Sequence, residues 1–402
     1  MAQSPTVAAP IPDTRPAGLS KSSAIKFVVL LGVVSLFADM TYEGARSVTG
    51  PYLAVLGATG TVVGIVAGFG ELVGYGLRLV SGLWADRSRR YWGIAIFGYL
   101  LNMLAVPALA LAGHWEVAAA LMICERTGKA LRNPPRDVML SHATHETGRG
   151  WGFGLHEAMD QTGAMVGPLI VAAVLASRGE YRTGFAFLLI PAVLALATLF
   201  TARFLYPRPR DLEPIAPEMA SAGLPRAYWL YLGGTALVAA GFADFPLVAY
   251  HFEKVSTVSP TWIPIFYAVA MGVSGLGSLL FGRWFDRAGL IVLVPLTIVS
   301  ALFAPLVFLG GFALALLGVA LWGIGMGVHE SVMRAAIAGM VPGDRRGSAY
   351  GIFNTGYGLA WFLGSALMGV LYDFSLPALI VVSVILELVG IPFILAARRA
   401  AG

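Results

Sequence analysis

Residues 82–90 read GLWADRSRR, a short basic turn between two apolar runs, 61–83 and 92–113. The pattern returns 200 residues later as Gly282-Arg283-Trp284-Phe285-Asp286-Arg287, again after an apolar run, 260–284. Phe37-Ala38-Asp39 matches Phe242-Ala243-Asp244 at an offset of 205. Arg149-Gly150 with Phe153-Gly154 matches Arg346-Gly347 with Tyr350-Gly351 at an offset of 197. Three ordered matches at nearly constant offset predict two homologous halves that face each other.

A hydrocarbon layer about 30 Å thick takes roughly 20 apolar residues of helix. Twelve stretches fit: 24–54, 61–83, 92–113, 116–140, 150–177, 183–205, 227–251, 260–284, 289–309, 312–340, 347–372 and 375–397. Of the 402 residues, 57% are apolar and only 12% are Asp, Glu, Lys or Arg, about half the charged fraction of a soluble domain. So few charges cannot cover a surface in water. The expected fold class is an all-α integral membrane protein, with twelve transmembrane helices as two pseudo-symmetric six-helix halves, in contact with the lipid bilayer.

Residues 1–23, rich in Pro, Ala and Ser, read as a disordered tail and not a signal peptide. The N-terminal half is expected over 24–205, a five-proline linker over 206–226, the C-terminal half over 227–397 and a short tail over 398–402. One set of loops and ends holds Arg87, Arg89, Arg90, Arg149, Arg208, Arg210, Arg287, Arg345, Arg346, Arg398 and Arg399, and the other set only Arg178, Arg182 and Lys254. That asymmetry places both termini in the cytoplasm of a cell-membrane protein, expected to act as a monomer.

The net charge of +5 is spread in short bursts, not gathered into the basic face that nucleic acid requires. A single cysteine, Cys124, excludes an intramolecular disulfide and a Cys-cluster metal site. His142, His145 and Glu146 are expected in a short loop, without the helix of a zinc-protease motif, so no metal is expected. Gly323-Ile324-Gly325-Met326-Gly327 follows no strand, no Walker-type loop occurs, and no nucleophile, base and orienting group appear together. Neither a cofactor nor enzymatic activity is expected.

The motifs, in this order, resemble those of the major facilitator superfamily over essentially all of the chain beyond the N-terminal tail. GLWADRSRR is similar to its loop 2-3 motif (G-x-L-A-D-R-x-G-R-R), with Ser88 in place of the glycine. Gly154, Gly163, Gly167 and Pro168 keep the spacing of the span 5 motif of its drug:proton antiporters (G-x8-G-x3-G-P-x2-G-G), with Val171 and Ala172 replacing the closing glycines. Arg126 matches the arginine of the span 4 motif (R-x-x-Q-G), with Lys129 and Ala130 at the last two positions. The resemblance implies a secondary transporter working by alternating access, with spans 1 and 4 lining a cavity. It implies gating latches at Gly82, Asp86, Arg87 and Arg90 and at Gly282, Asp286 and Arg287. There the glycines would allow close helix approach, Asp86 would face the start of span 11, and Asp286 the start of span 5. It further implies that the Gly163 and Gly167 face rocks against span 8.

Ionisable residues inside spans are costly in hydrocarbon and are tolerated when paired or facing a wet cavity. Asp39, Glu43 and Arg46 stand at i, i+4 and i+7 on span 1, and Glu125, Lys129, Arg132 and Arg136 form a similar stripe on span 4. Proton-coupling candidates are Asp39, Glu43, Glu125, Asp160, Asp244 and Glu330. Candidates to line a substrate cavity are Arg46, Arg126, Lys129, Arg132, His329, Arg334, Asn354 and Tyr357. For Glu71, Arg78 and Glu157 the favoured reading is ion pairing within the bundle. Pro134 and Pro135 are expected to interrupt the inner end of span 4, presenting Arg136 as a gate or an interfacial anchor. The resemblance, through the antiporter-like span 5 motif, implies a proton-coupled exporter of a small organic or amphiphilic substrate. Uptake of an organic anion by proton symport, or a non-transporting receptor or scaffold, are the alternatives.

Overall fold

The computed structural model describes residues 21–88, 90–147, 149–207, 223–341 and 346–401. The side chains at 21, 79, 83, 86, 141–154, 330, 331, 334, 335, 338 and 346–348 fall outside that description. The N-terminal half comprises α1 (Lys21–Val55), α2 (Gly60–Ser88), α3 (Tyr91–Ala108), α4 (Trp115–Thr147), α5 (Arg149–Arg178), α6 (Tyr181–Phe187) and α7 (Leu189–Leu205). The C-terminal half comprises α8 (Arg226–Gly241), α9 (Phe245–Val255), α10 (Trp262–Ala288), α11 (Leu293–Ala301), α12 (Phe303–Leu309), α13 (Phe312–Gly327), α14 (Met333–Met340), α15 (Arg346–Phe374) and α16 (Leu376–Ala401). No strand occurs among the described residues. Each expected span coincides with one helix or with consecutive helical segments, and eight stretches are long and apolar enough to cross a membrane. Large apolar side chains such as Leu276 and Leu309, both 68% exposed, point outward, as lipid allows and water does not. Residues 1–20 and 208–222, most of the expected tail and linker, lie outside the described residues.

The seventh span is broken. α8 stops at Gly241, Phe242 and Asp244 are extended, and α9 begins with the Asp244 carboxylate accepting from the Phe245 N–H at 2.9 Å. Ser, Thr, Asn and Asp are the usual N-caps because their short side chains satisfy these otherwise unpaired donors. The tenth span carries a π-helical turn, Val328–Val332, between α13 and α14.

Two expectations about span 4 are corrected. α4 continues through Pro134 and Pro135 to Thr147, so residues 142–146 lie on this helix and not in a loop. Pro134 has no N–H to offer the Ala130 carbonyl one turn back. The Ser81 hydroxyl of α2 donates to that carbonyl at 2.8 Å instead, which keeps the backbone satisfied without a break.

Small residues decide which helices touch. A Cβ on Gly163 or Gly167 would collide with the Leu36 and Met40 carbonyls, so this face packs α5 on α1 and not, as the resemblance implied, on span 8. α10 meets α5 through its own Gly272 and Gly275, which lie against Met165 and Gln161. Gly64 and Gly68 of α2 lie against Ser365, Gly369 and Phe362 of α15, joining the two halves. In lipid, such close approach supplies packing energy where no hydrophobic effect acts between helices.

The halves are closed together at the end carrying the α1–α2 and α9–α10 loops. Gly50 lies against the Pro246 carbonyl, and the Tyr250 hydroxyl donates to Ala58 O at 3.1 Å. Asp373 of α15 accepts from the Gly60 and Thr61 N–H groups at 2.9 and 2.7 Å, capping α2. At the opposite end Trp84 and Trp284 are 53% and 44% exposed. There, among the described residues, the glycines make no close helix approach: a Cβ on Gly82 meets only Pro134 at 3.7 Å, and one on Gly282 meets nothing within 4 Å. Arg87, Arg90, Asp286 and Arg287 are exposed, and the Asp86 side chain lies outside the described residues. Gly154 lies on α5 within the undescribed side-chain region, and Pro168 is accommodated inside the same helix.

Two outcomes are expected. Gly167→Val should cost about 1–3 kcal/mol through overpacking and lower the thermal midpoint in detergent, whereas Gly74→Ala, with open space at its Cβ, should not. Partial burial acts to raise the Asp373 pKa, but hydrogen bonds from Thr61, Gly60 and Thr59 outweigh it and hold the carboxyl below the usual range. A depressed folded pKa means that this clasp is fully present above the unfolded value of about 3.9 and is lost as pH falls through the lower folded value. Distances between spin labels on the two halves at this end should therefore be unchanged down to about pH 4 and widen below it. Asp373→Asn should show the widened distance already at neutral pH.

Candidate functional site

The two stripes of ionisable residues face each other. Because α1 and α4 run antiparallel, rising positions on one pair with falling positions on the other. Arg132 Nη2 lies 3.4 Å from Asp39 Oδ1, and Lys129 Nζ 3.8 Å from Glu43 Oε1. At the next level Glu71 of α2 is a hub, its Oε1 lying 3.0 Å from both Arg46 Nη2 and Arg126 Nη2. Arg46 Nη2 also donates to Asp244 Oδ1 across the halves at 2.8 Å. Glu125 accepts from Asn102 Nδ2 at 2.6 Å and lies 3.6 Å from Arg126 Nε.

Two phenols complete the ladder. The Tyr42 hydroxyl accepts from Arg46 and Arg126 at 3.0 and 2.5 Å, and Lys129 Nζ sits 3.5 Å over its ring. Tyr267 of α10 donates to Glu43 Oε2 at 2.6 Å, a second bond across the halves. Arg132 is fully buried and stacks on Tyr99 at 4.5 Å. Such burial is tolerated because each charge has a partner at close range.

The Asp39–Arg132 and Glu43–Lys129 pairs of the ladder form one wall of a cavity of about 440 Å³ between α1, α4, α5 and α10. Asp39, Glu43, Lys129, Arg132, Arg136 and Asp160 line it from the N-terminal half, and Met271, Ser278 and Leu279 from the C-terminal half. Arg136 binds Asp137 at 2.8 Å and donates to Ser35 Oγ at 3.1 Å. His156, which also bonds Ser35 at 2.9 Å, lies 3.8 Å from Asp160 Oδ2.

Not every expected residue joins this site. His329 sits in the π-helical turn inside an aromatic cage, 4.7 Å from the Phe242 ring and 5.7 Å from Trp361. Tyr357 packs on Tyr75 across the halves at 5.6 Å, and Asn354 is half-buried on α15. The side chains of Glu330 and Arg334 lie outside the described residues. Glu157 is exposed and accepts from Gln161 at 3.2 Å, in place of the interhelical ion pair expected for it. Arg78 borders the cavity, 5.4 Å from the Tyr75 ring.

Sequence reading missed several participants. Glu71 was legible as an ion-pair member but not as the hub. Tyr267, Asn102 and His156 carry no distinguishing spacing. Glu387, a lone acid in the apolar run of α16, satisfied the same rule as the chosen residues and was not selected.

Because Arg46 serves two buried carboxylates, its removal leaves both unpaired. Arg46→Ala is expected to destabilise the folded protein by about 3–5 kcal/mol. The double variant Arg46→Gln with Asp244→Asn should recover part of that loss in a thermal-unfolding double-mutant cycle.

The sequence model of the Major Facilitator Superfamily matches residues 31–364 and 274–401. An uncharacterized protein of Mycobacterium tuberculosis is 45% identical over 392 residues, covering 96% of this chain and 95% of the relative. Multidrug resistance protein MdtH of Photorhabdus laumondii is 25% identical over 331 residues, covering 80% of each chain. Among solved structures, a point mutant of the nucleoside transporter NupG shares the fold with a TM-score of 0.74 at 13% identity, over 93% of this chain and 99% of its own. The apolar helices, the two facing halves and these matches together make the chain a multi-pass membrane transporter of the major facilitator superfamily.

Proposed function

We propose that the protein is a proton-coupled secondary transporter that exports a small organic or amphiphilic compound by alternating access. The observation that carries this reading is the buried ladder of paired carboxylates and cations, two of whose carboxylates, Asp39 and Glu43, line the cavity. Five carboxyl groups (Asp39, Glu43, Glu71, Glu125 and Asp244) meet four cations (Arg46, Arg126, Lys129 and Arg132). Asp39 and Glu43 at the cavity wall can take either a proton or a hydrogen-bonding or cationic group of a substrate, so proton and substrate compete for the same carboxylates. The bonds of Arg46 to Asp244 and of Tyr267 to Glu43 carry that change to the interface between halves, where alternating access acts.

The cavity opens at the end holding Arg87, Arg90, Arg287, Arg398 and Arg399, which the charge rule assigns to the cytoplasm of the cell membrane. Export is supported by the antiporter-like spacing on α5 and by the multidrug resistance relative. A compound without large negative charge is favoured because Lys129, Arg132 and Arg136 already have carboxylate partners. One charge crossing the membrane is worth about 2.3 kcal/mol per 100 mV, ample for extrusion.

The test is internal pH in proteoliposomes under an imposed proton gradient, with organic cations, anions and lipophilic drugs added in turn. Substrate-triggered proton flux should fall at least about tenfold, equivalent to about 1.4 kcal/mol, in Asp39→Asn and Glu125→Gln. Substrate movement without proton movement would overturn the coupling, and stronger accumulation on the acidic side's opposite face would overturn export.

A further inference from the structure

We propose that Glu387 is a second proton-binding site, in the C-terminal half, whose proton governs the broken helix α8–α9. Glu387 is 0% exposed, and neither carboxyl oxygen has a hydrogen-bond partner among the described residues. The Ser300 hydroxyl of α11 lies beside the carboxyl, and it too lacks a hydrogen bond of good geometry. An ionised carboxylate here would have neither water nor a cation. A neutral carboxylic acid removes the charge and gains an O–H that can reach Ser300.

Among the described residues, the surroundings offer Glu387 no ion pair. α11 and α12 contain no titratable residue. Tyr228 and Tyr231 of α8 donate to the carbonyls of Ala349 and Met333, and Arg226 is 15 residues before Gly241, roughly 22 Å along the helix. On α15, Arg346 begins the helix three residues before Ala349, whose carbonyl meets Tyr228 near the start of α8; Tyr350, Tyr357 and Tyr372 are phenols, and Asp373 is committed to α2 at the closed end. On α16 itself Arg398 and Arg399 occupy the last turn. A metal cation is also disfavoured, since the carbonyls freed by the helix break are taken: Ser383 Oγ donates to Gly241 O at 2.6 Å and Trp322 Nε1 to Ala243 O at 2.9 Å.

The position gives the proton leverage. A Cβ on Gly241 would stand 2.9 Å from Glu387 N and 3.0 Å from its Cγ, so α8 ends directly on this residue. The next residue, Phe242, packs on His329, and Asp244 then caps α9 and binds Arg46. Four residues thus connect a buried acid to the bond between the halves. Releasing the proton requires water or a cation at Glu387, and therefore movement of the α8 end away from α16. The proposal rests on the proton-coupled reading for its consequence in transport, but not for proton binding itself.

The experiment is infrared difference spectroscopy of the protein in lipid, titrated from acid to alkaline pH, with spin-label distances across the closed end measured in parallel. A protonated-carboxyl band absent from Glu387→Gln, and lost at alkaline pH together with a change in distance, is the expected result. In Glu387→Gln the distance should no longer respond to pH in that range. Ser300→Ala, which keeps the acid, should shift the band and guards against a misfolded Glu387→Gln. No such band at neutral pH, or a wild-type distance response in Glu387→Gln, overturns the proposal. If the band behaves as expected while Asp39→Asn leaves proton flux intact, the ladder reading fails and this one stands. If the band is absent while flux depends on Asp39, only this one fails.

Discussion

The guanidinium of Arg46 fixes the relation between the two halves. From α1 it reaches Glu71 on α2, Tyr42 on its own helix and Asp244 at the start of α9. A planar fork of donors can serve several acceptors at once, which the point charge of a lysine could not do with the same geometry. Charges held away from water tolerate little displacement from their partners, because a lost contact leaves an uncompensated charge. The positions of α1, α2 and α9 are therefore coupled through one side chain, and Glu71 extends the coupling to Arg126 on α4.

Regular helix is the default in lipid, where an unpaired N–H or C=O is costly. Several of the departures described above have a side chain that meets the cost. Ser81 serves the carbonyl freed by Pro134, Ser383 and Trp322 serve those freed at the break in the seventh span, and Asp244 caps the segment that follows. The same residues that repair the backbone tie neighbouring helices together, so the irregular points are also points of contact.

Duplication has not kept the halves equivalent. Asp39 and Asp244 occupy matching positions in the repeat, yet Asp39 lies within a continuous helix and pairs with Arg132 of its own half, whereas Asp244 begins a new helix and pairs with Arg46 of the other. The charges of the cavity come from the N-terminal half. Around Phe242 the C-terminal half offers instead an aromatic cage of Phe303, Trp322, His329 and Trp361.

The amino-acid sequence alone determined the apolar spans, the duplication and the two stripes on α1 and α4, because hydrocarbon thickness and the 3.6-residue helical period are written into local spacing. Asp39, Glu43, Arg46, Glu125, Lys129 and Arg132 were legible for that reason. Only the tertiary structure decided what lies across each interface. It made Glu71 the hub, brought Tyr267 from α10 to Glu43, turned the Gly163 and Gly167 face onto α1, carried α4 through two prolines and closed α8 against Glu387. None of these has a local signature, since each depends on which distant residue arrives within a few ångströms to satisfy a charge, a carbonyl or a space.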